Sequence, residues 1–210
     1  MNKSPFIEKE EDFNTIVERM SQIFQLNRRL PDQVFKEGYG NFNIIDFGPM
    51  MWSDFWHVLQ ACGRTAGDNE INMLLCQPDP VNYYFKHFKR YGALNFDISA
   101  TATDYSEALR AEPPGSPADA FETNSFVWTW CGDSMKWGFY GIREVPEIGI
   151  GAACVEGFLW PQVKGISWFN IDDALAGLVS VVFRGHESEF REFSEAFRKN
   201  YLKGTSKNSP

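Results

Sequence analysis

The chain has 210 residues, 43% of them apolar, and its 19 Phe, 7 Trp and 7 Tyr supply ample material for a packed core, which excludes a disordered chain. The 28 acidic and 20 basic residues give a net charge of −8 at pH 7. This balance disfavours nucleic acid and anionic membrane as general partners, because both repel negative charge, and it favours a basic partner.

The N-terminal sequence "MNKSPFIEKEED" contains no apolar segment of the kind that secretory signals require. The longest apolar run, at residues 174–183, is ten residues long and too short to span a bilayer. The sequence therefore predicts a soluble cytoplasmic protein, in which the four widely spaced cysteines are reduced.

The first predicted element is a helix in "EEDFNTIVERMSQIFQLNRR", where apolar residues from Phe13 to Phe24 recur at helical spacing. Acidic residues suit the N-terminal end of this helix, and Arg28 and Arg29 suit its C-terminal end. Pro31 cannot continue a helix, so the helix is predicted to end there.

A second helix is predicted from Asp54 to about Cys62, with Ser53 as its N-cap and Gly63 at its C-terminal end. The next segment, residues 71–76, reads "INMLLC". This near-continuous apolar run has the length of a strand, and its composition predicts a strand buried on both faces.

The sequence "QPDPVNYYFKHFKRYGALNFDIS" predicts a third helix that starts at the Asp79 cap and Pro80, ends at Gly92 and is followed by a strand. Its aromatic and basic residues are also the types that bind single-stranded nucleic acid. A helix with a buried aromatic stripe that begins at Val81 and a solvated basic face accounts for these residues more simply. The negative net charge also disfavours binding to nucleic acid.

Three strand-like runs, "SFVWTW", "KWGFYG" and "EIGIGA", follow a Pro-rich segment at residues 113–117, which we interpret as a loop within one domain. We predict that Trp130 pairs with Trp137 across a hairpin, because this register gathers the large aromatic residues on one face. Residues 131–136 then form the connecting loop, and the face that carries Tyr140 is predicted to be open.

The last predicted helix spans residues 187–202 and carries an aromatic stripe, and the polar residues 203–210 after it are expected to fray. Together, the elements predict a single α+β domain over residues 1–202. Its architecture is a mainly antiparallel sheet with helices from the two chain ends packed on it.

The sequence carries no recognisable catalytic or cofactor motif. Cys131 beside Asp133 raises the question of a reactive thiol, but no local signature of a thiol enzyme surrounds them, and both fit a hairpin turn. The three histidines, His57, His87 and His186, lack the spacing of metal ligands. We therefore predict no catalytic residue, no metal and no cofactor.

Two blocks of the chain carry a resemblance: "PDPVNYYFKHFKRYGA" at residues 78–93 and "VWTWCGDSMKWGFYGIREVPEIGIGA" within residues 126–152. In these blocks the chain resembles small bacterial cytoplasmic proteins, among them proteins of the immunity type, which neutralise partner toxins. The matching residues are those of packing and turns. The resemblance therefore implies a binding protein more readily than an enzyme, and it carries over no site residue.

These observations predict a non-enzymatic protein that binds another protein, and the narrower hypothesis is an immunity protein that occludes a basic toxin. The alternative is a small-molecule-binding protein or hydrolase with an aromatic pocket and a cysteine or histidine as its polar group. For the first prediction, the expected partner-binding residues are three loop acids and two residues at the open face of the sheet: Glu112, Asp119, Glu122, Tyr140 and Arg143.

Overall fold

The computed structural model describes residues 5–202, which form a seven-stranded antiparallel sheet with helices on both faces. The strands are β1 (Phe6–Ile7), β2 (Gly40–Asp46), β3 (Glu70–Gln77), β4 (Tyr91–Asp97), β5 (Val127–Gly132), β6 (Trp137–Ile142) and β7 (Ile148–Ala153). The helices are α1 (Glu10–Ile23), α2 (Phe55–Ala66), α3 (Lys86–Phe88), α4 (Ala102–Arg110), α5 (Ile171–Ala174), α6 (Ser180–Val182) and α7 (Glu187–Tyr201). The strand order is β1-β4-β3-β5-β6-β7-β2. The predicted α+β class, with helices from both chain ends on an antiparallel sheet, is confirmed, while the tail predicted to fray lies outside the described residues.

Helix α1 forms where the sequence predicts it, but it ends at Ile23, well before Pro31. The next residue, Phe24, is extended and forms an isolated bridge with Phe35. The backbone N–H of Gln25 donates to a carbonyl in the same returning segment. This pairing provides hydrogen bonds for backbone groups that a further helical turn would otherwise have bonded. Phe24 is therefore part of an extended segment, and its side chain is buried there.

Helix α2 continues past Gly63 and ends at Ala66. The residue that caps it, Gly67, has a φ of 80°, the left-handed conformation that favours glycine. Gly63 has a different role. A Cβ on Gly63 would lie 2.7 Å from Cδ1 of Ile98, so a larger residue there would displace the end of that side chain.

The third predicted helix is irregular. Asp79 caps it as predicted, because its carboxylate accepts hydrogen bonds from the N–H groups of Val81 and Asn82. The chain then follows a π-helical turn, Pro80–Phe85, before the single turn of α3. Val81, which the sequence predicts to begin the buried stripe, is exposed.

The β5–β6 hairpin has the predicted face assignment but a different register. Trp130 lies opposite Phe139, and Trp128 lies opposite Gly141, two residues away from the predicted pairing. Because a shift of two residues preserves the side-chain alternation, Trp130 and Trp137 still contribute to the same core. The shift shortens the predicted loop to residues 133–136.

Both faces of the sheet are covered. One core, the tryptophan layer, packs against α2 and α4 and includes Trp56, Trp128, Trp130 and Trp137. The other core, the α1 layer, packs against α1, α5 and α7. The prediction of an open face is therefore wrong: Tyr140 is 1% exposed, because helices from both chain ends cover the strand face that carries it.

Candidate functional site

Hydrogen bonds, of which the one from Trp137 is buried, join the hairpin loop to the end of α2 and to the α2–β3 connection. Asp68 accepts a bond of 2.6 Å from the N–H of Ser134 and one of 2.7 Å from Nε1 of Trp137. The carboxylate of Asp133 accepts a 3.0 Å bond from the N–H of Asn69. Lys136 donates to a carbonyl of α2. These bonds assign the polar residues of the loop a structural role.

The thiol of Cys131 lies on the opposite side of the strand from Trp130, inside the α1 layer, and is fully buried. Burial raises the pKa of the Cys131 thiol. Because the thiolate is the nucleophilic form, this thiol is poorly suited to attack a substrate. Cys131 and Asp133 are neighbours in sequence with separate structural roles.

The histidine and cysteine side chains of the described residues form no metal-binding group. Within residues 5–202, no group of three or more His, Cys, Asp or Glu side chains is placed to hold a metal ion. The exposed histidines His57 and His87 belong to separate helices, α2 and α3.

The acidic loop, residues 112–122, is built around Asp119. Its Oδ1 accepts bonds of 2.6 Å from the hydroxyl of Tyr83 and 2.5 Å from Nδ2 of Asn124, and its Oδ2 accepts from the hydroxyl of Ser116. Its own N–H donates to Glu112 at 2.8 Å. Hydrogen bonds to the charged form outweigh the effect of burial and lower the pKa of Asp119.

The structure brings four of the five predicted partner-binding residues to one end of the sheet. Nη1 of Arg143 donates to the backbone carbonyl of Glu122 at 2.8 Å, and the side chain of Glu122 pairs with Arg110 at 3.0 Å. Glu112 is exposed beside Asp119. Tyr140 lies apart from them in the α1 layer, so its predicted surface position is wrong.

We expect Asp119→Ala to lower the free energy of unfolding by about 2 kcal/mol, since three side-chain donors lose a common acceptor. Glu122→Gln removes an exposed ion pair with Arg110 and should cost less than about 1 kcal/mol. Urea unfolding of both variants checks the difference. Equal losses in the two variants would contradict the role of Asp119 as the common acceptor of these hydrogen bonds.

A second site, the N-terminal cleft, was not predicted from the sequence. It has a volume of about 710 Å³ and opens between α1, the segment around β1 and strands β3 and β4. Arg19 of α1 crosses it: Nη1 donates to Oε2 of Glu70 at 2.8 Å and to Oδ1 of Asn72 at 3.3 Å. These three side chains place both charge signs and an amide in one cavity.

Asn72 is the most unusual residue of the N-terminal cleft. Its neighbours Ile71 and Met73 point into the tryptophan layer, so the alternation of β3 turns Asn72 toward α1. The side chain is 0% exposed, and among the described residues its Nδ2 has no hydrogen-bond partner. A buried donor without an acceptor costs about 1–3 kcal/mol, so an apolar residue at this position would suit folding better.

Comparison with known proteins adds no assignment. The chain matches no protein-family model, and it has no match among curated proteins or solved structures. The site is therefore interpreted from its own residues. Within residues 5–202, no helix has both the length and the apolar character needed to cross a membrane.

One sequence signal for the N-terminal cleft was available. In "INMLLC", Asn72 is the single polar residue of a run that is otherwise apolar or cysteine. A polar side chain buried within such a strand needs a hydrogen-bond partner, and this requirement marks the position. Its neighbours in the cleft could not be read from the sequence, because Arg19 is 53 residues away from Asn72.

Proposed function

We propose that this protein acts by binding another protein, that the N-terminal cleft is a point of recognition, and that it performs no covalent chemistry of its own. The observation that carries the proposal is the buried Nδ2 of Asn72, which has no acceptor within the described residues. A partner's carbonyl or carboxylate oxygen would supply that acceptor once the side chains that close Nδ2 off from solvent, Arg19 among them, move aside. Binding would then recover a desolvation cost that the folded chain bears alone.

The charge of the chain supports a narrower form of this proposal. A net charge of −8 would steer a basic partner toward the protein and speed association. A basic toxin held by occlusion of its active surface fits this chemistry and the resemblance to immunity proteins. In this form the protein inhibits its partner stoichiometrically.

We expect Asn72→Leu to weaken binding of the partner about tenfold, the value of one hydrogen bond, while leaving the free energy of unfolding unchanged or raised. The variant removes the unpartnered donor, and Arg19 keeps its bond to Glu70. Affinity capture on the full chain followed by titration of the purified partner measures the loss. Urea unfolding measures the stability.

Glu195→Lys is the matched control for surface effects, because Glu195 is exposed on α7 and does not line the cleft. A partner should be retained by this variant and by the wild type. Equal affinity of a purified partner for the wild type and for Asn72→Leu would refute the cleft as the recognition point. For the narrower proposal, co-production of the chain should restore growth to cells that make a captured toxin.

A further inference from the structure

The Arg19–Glu70 ion pair is a partly exposed contact beside the buried amide of Asn72. The two charged side chains are 24% and 40% exposed, and Nη1 of Arg19 donates both to Glu70 and to Oδ1 of Asn72. The Nδ2 of Asn72 is buried and lacks an acceptor within residues 5–202. Because Nη1 contacts both residues, a group that takes the place of Glu70 lies within reach of this donor.

The ion pair can be exchanged at low cost. Solvent reaches both partners, and exposed ion pairs contribute little to stability because water screens them. Within residues 5–202, both hydrogen bonds from the side chain of Arg19 start at Nη1. A guanidinium has five N–H donors in a planar fork, so Arg19 can turn away from Asn72 and still bind an acceptor.

The exchange selects a carboxylate. A neutral carbonyl in place of Glu70 would leave the guanidinium without a counter-charge, whereas a carboxylate restores the ion pair. A carboxylate also has two oxygens, so one can accept from Arg19 while the other accepts from Nδ2 of Asn72. A doubly charged phosphate would be repelled more strongly by Glu8, Asp12 and Glu70, which all line the cleft.

The apolar part of the lining favours a carboxylate on a side chain over one at a chain terminus. Ile16, one turn before Arg19 on α1, lines the cleft and is buried. The methylene stem of an aspartate or glutamate has no hydrogen-bonding group to satisfy beside it. A terminal carboxylate brings its own backbone N–H, which would lose water on entry and need a further acceptor.

We propose that the N-terminal cleft recognises an aspartate or glutamate side chain of the partner, which replaces Glu70 on Arg19 and accepts a hydrogen bond from Asn72. Glu70 is then an internal competitor that occupies Arg19 until the partner's carboxylate takes its place. This inference rests on the binding function proposed above and names the group that is bound. The net charge of −8 disfavours free carboxylates, so the site is suited to a carboxylate carried by an otherwise basic partner.

The test uses capped amino acids as probes and the side-chain amide of Asn72 as the reporter. In proton–nitrogen correlation spectra of the full chain, the signals of this amide are the side-chain signals that disappear in Asn72→Leu. Titration with N-acetylglutamate α-amide should shift them downfield, because the amide gains an acceptor. The glutamine analogue should bind about tenfold more weakly, since it cannot restore the ion pair. Equal binding of the two probes would overturn carboxylate recognition.

Glu70→Gln and Glu8→Gln are a matched pair that tests the competitor. Both remove one negative charge from the lining of the cleft, but Glu70 pairs with Arg19 and Glu8 pairs with Arg90. Glu70→Gln should tighten binding of N-acetylglutamate α-amide about fivefold, the upper value for a partly exposed ion pair. Glu8→Gln should change it less than about twofold, because solvent screens a charge that makes no direct contact. Equal tightening in the two variants would refute Glu70 as the competitor.

Other outcomes separate this inference from the function on which it rests. N-acetylalanine, whose carboxylate is terminal, should bind more weakly than N-acetylglutamate α-amide, and equal binding would overturn the assignment to a side chain. If no probe shifts the Asn72 signals, the inference fails, while a partner protein sensitive to Asn72→Leu would still support the function. If N-acetylglutamate α-amide binds but a captured partner tolerates Asn72→Leu, the carboxylate site stands and the function proposed for the cleft fails.

Discussion

Gly132→Ala is expected to lower the free energy of unfolding by about 3 kcal/mol or more, the upper range for overpacking a filled core. A Cβ at Gly132 would lie 1.9 Å from Oδ2 and 2.2 Å from Cγ of Asp68. Asp68 cannot move aside at low cost, because Trp137 and Ser134 hold its two oxygens. Urea unfolding of the variant and the wild type measures the loss.

Gly177→Ala is the control for the change from glycine to alanine. A Cβ at Gly177 would meet no atom within 4 Å, and its φ is not in the left-handed region. The control should be neutral or stabilised by up to about 1 kcal/mol. In the double variant Gly132→Ala with Asp68→Ala, the clashing atoms are gone, so the combined loss should be smaller than the sum of the single losses. Additive losses would contradict the clash.

The second large effect is the pH dependence that Asp68 gives to the free energy of unfolding. Burial raises the pKa of this carboxyl, although the hydrogen bonds from Ser134 and Trp137 act in the opposite direction. The folded protein therefore binds this proton more tightly than the unfolded chain does. The stabilisation from Asp68 is fully present below its unfolded pKa, about 4, and is lost as the pH rises through its folded pKa.

We expect Asp68→Asn to cost about 2 kcal/mol in acid, because its Nδ2 cannot accept the hydrogen bond from Ser134. The difference between wild type and variant should narrow as the pH rises, since only the wild type loses the contribution of Asp68. Asp133 accepts a hydrogen bond from the protonated Asp68, which is one of the causes of its lowered pKa. The Nδ2 of the introduced asparagine can donate the same bond, and Asp133 keeps its bond from Asn69 in both proteins. Urea unfolding from about pH 4 to 8 measures the difference in free energy of unfolding between the two proteins. A difference that widens as the pH rises would contradict the raised pKa of Asp68.

The sequence predicted which residues share a face of the sheet, because alternation in a strand depends only on local geometry. It therefore placed Trp128, Trp130 and Trp137 in one core, as observed. It could not predict that Tyr140 is covered, because coverage depends on where distant helices pack. The exact register of the hairpin was likewise open to a shift of two residues that leaves the faces unchanged.

The two candidate sites also differ in how far the sequence could predict them. The acidic loop is a local segment, so residues 112–122 could be identified from composition, although the bonds that occupy Asp119 could not. The N-terminal cleft joins α1 to β3, and the Arg19–Glu70 pair spans 51 residues of sequence. Such a site depends on tertiary packing. A single sequence indicates only Asn72, the polar residue within an apolar strand.

The division of the core into two layers also divides the chromophores of the protein. Six of the seven tryptophans lie in the tryptophan layer or pack against it, and the seventh, Trp52, is 56% exposed. Within the described residues, the α1 layer holds tyrosines such as Tyr140 and Tyr201 and no tryptophan. Tryptophan emission therefore reports on one side of the sheet, and hydrogen exchange in α1 and α7 reports on the other. Together these two signals distinguish unfolding of one layer from cooperative loss of the whole domain.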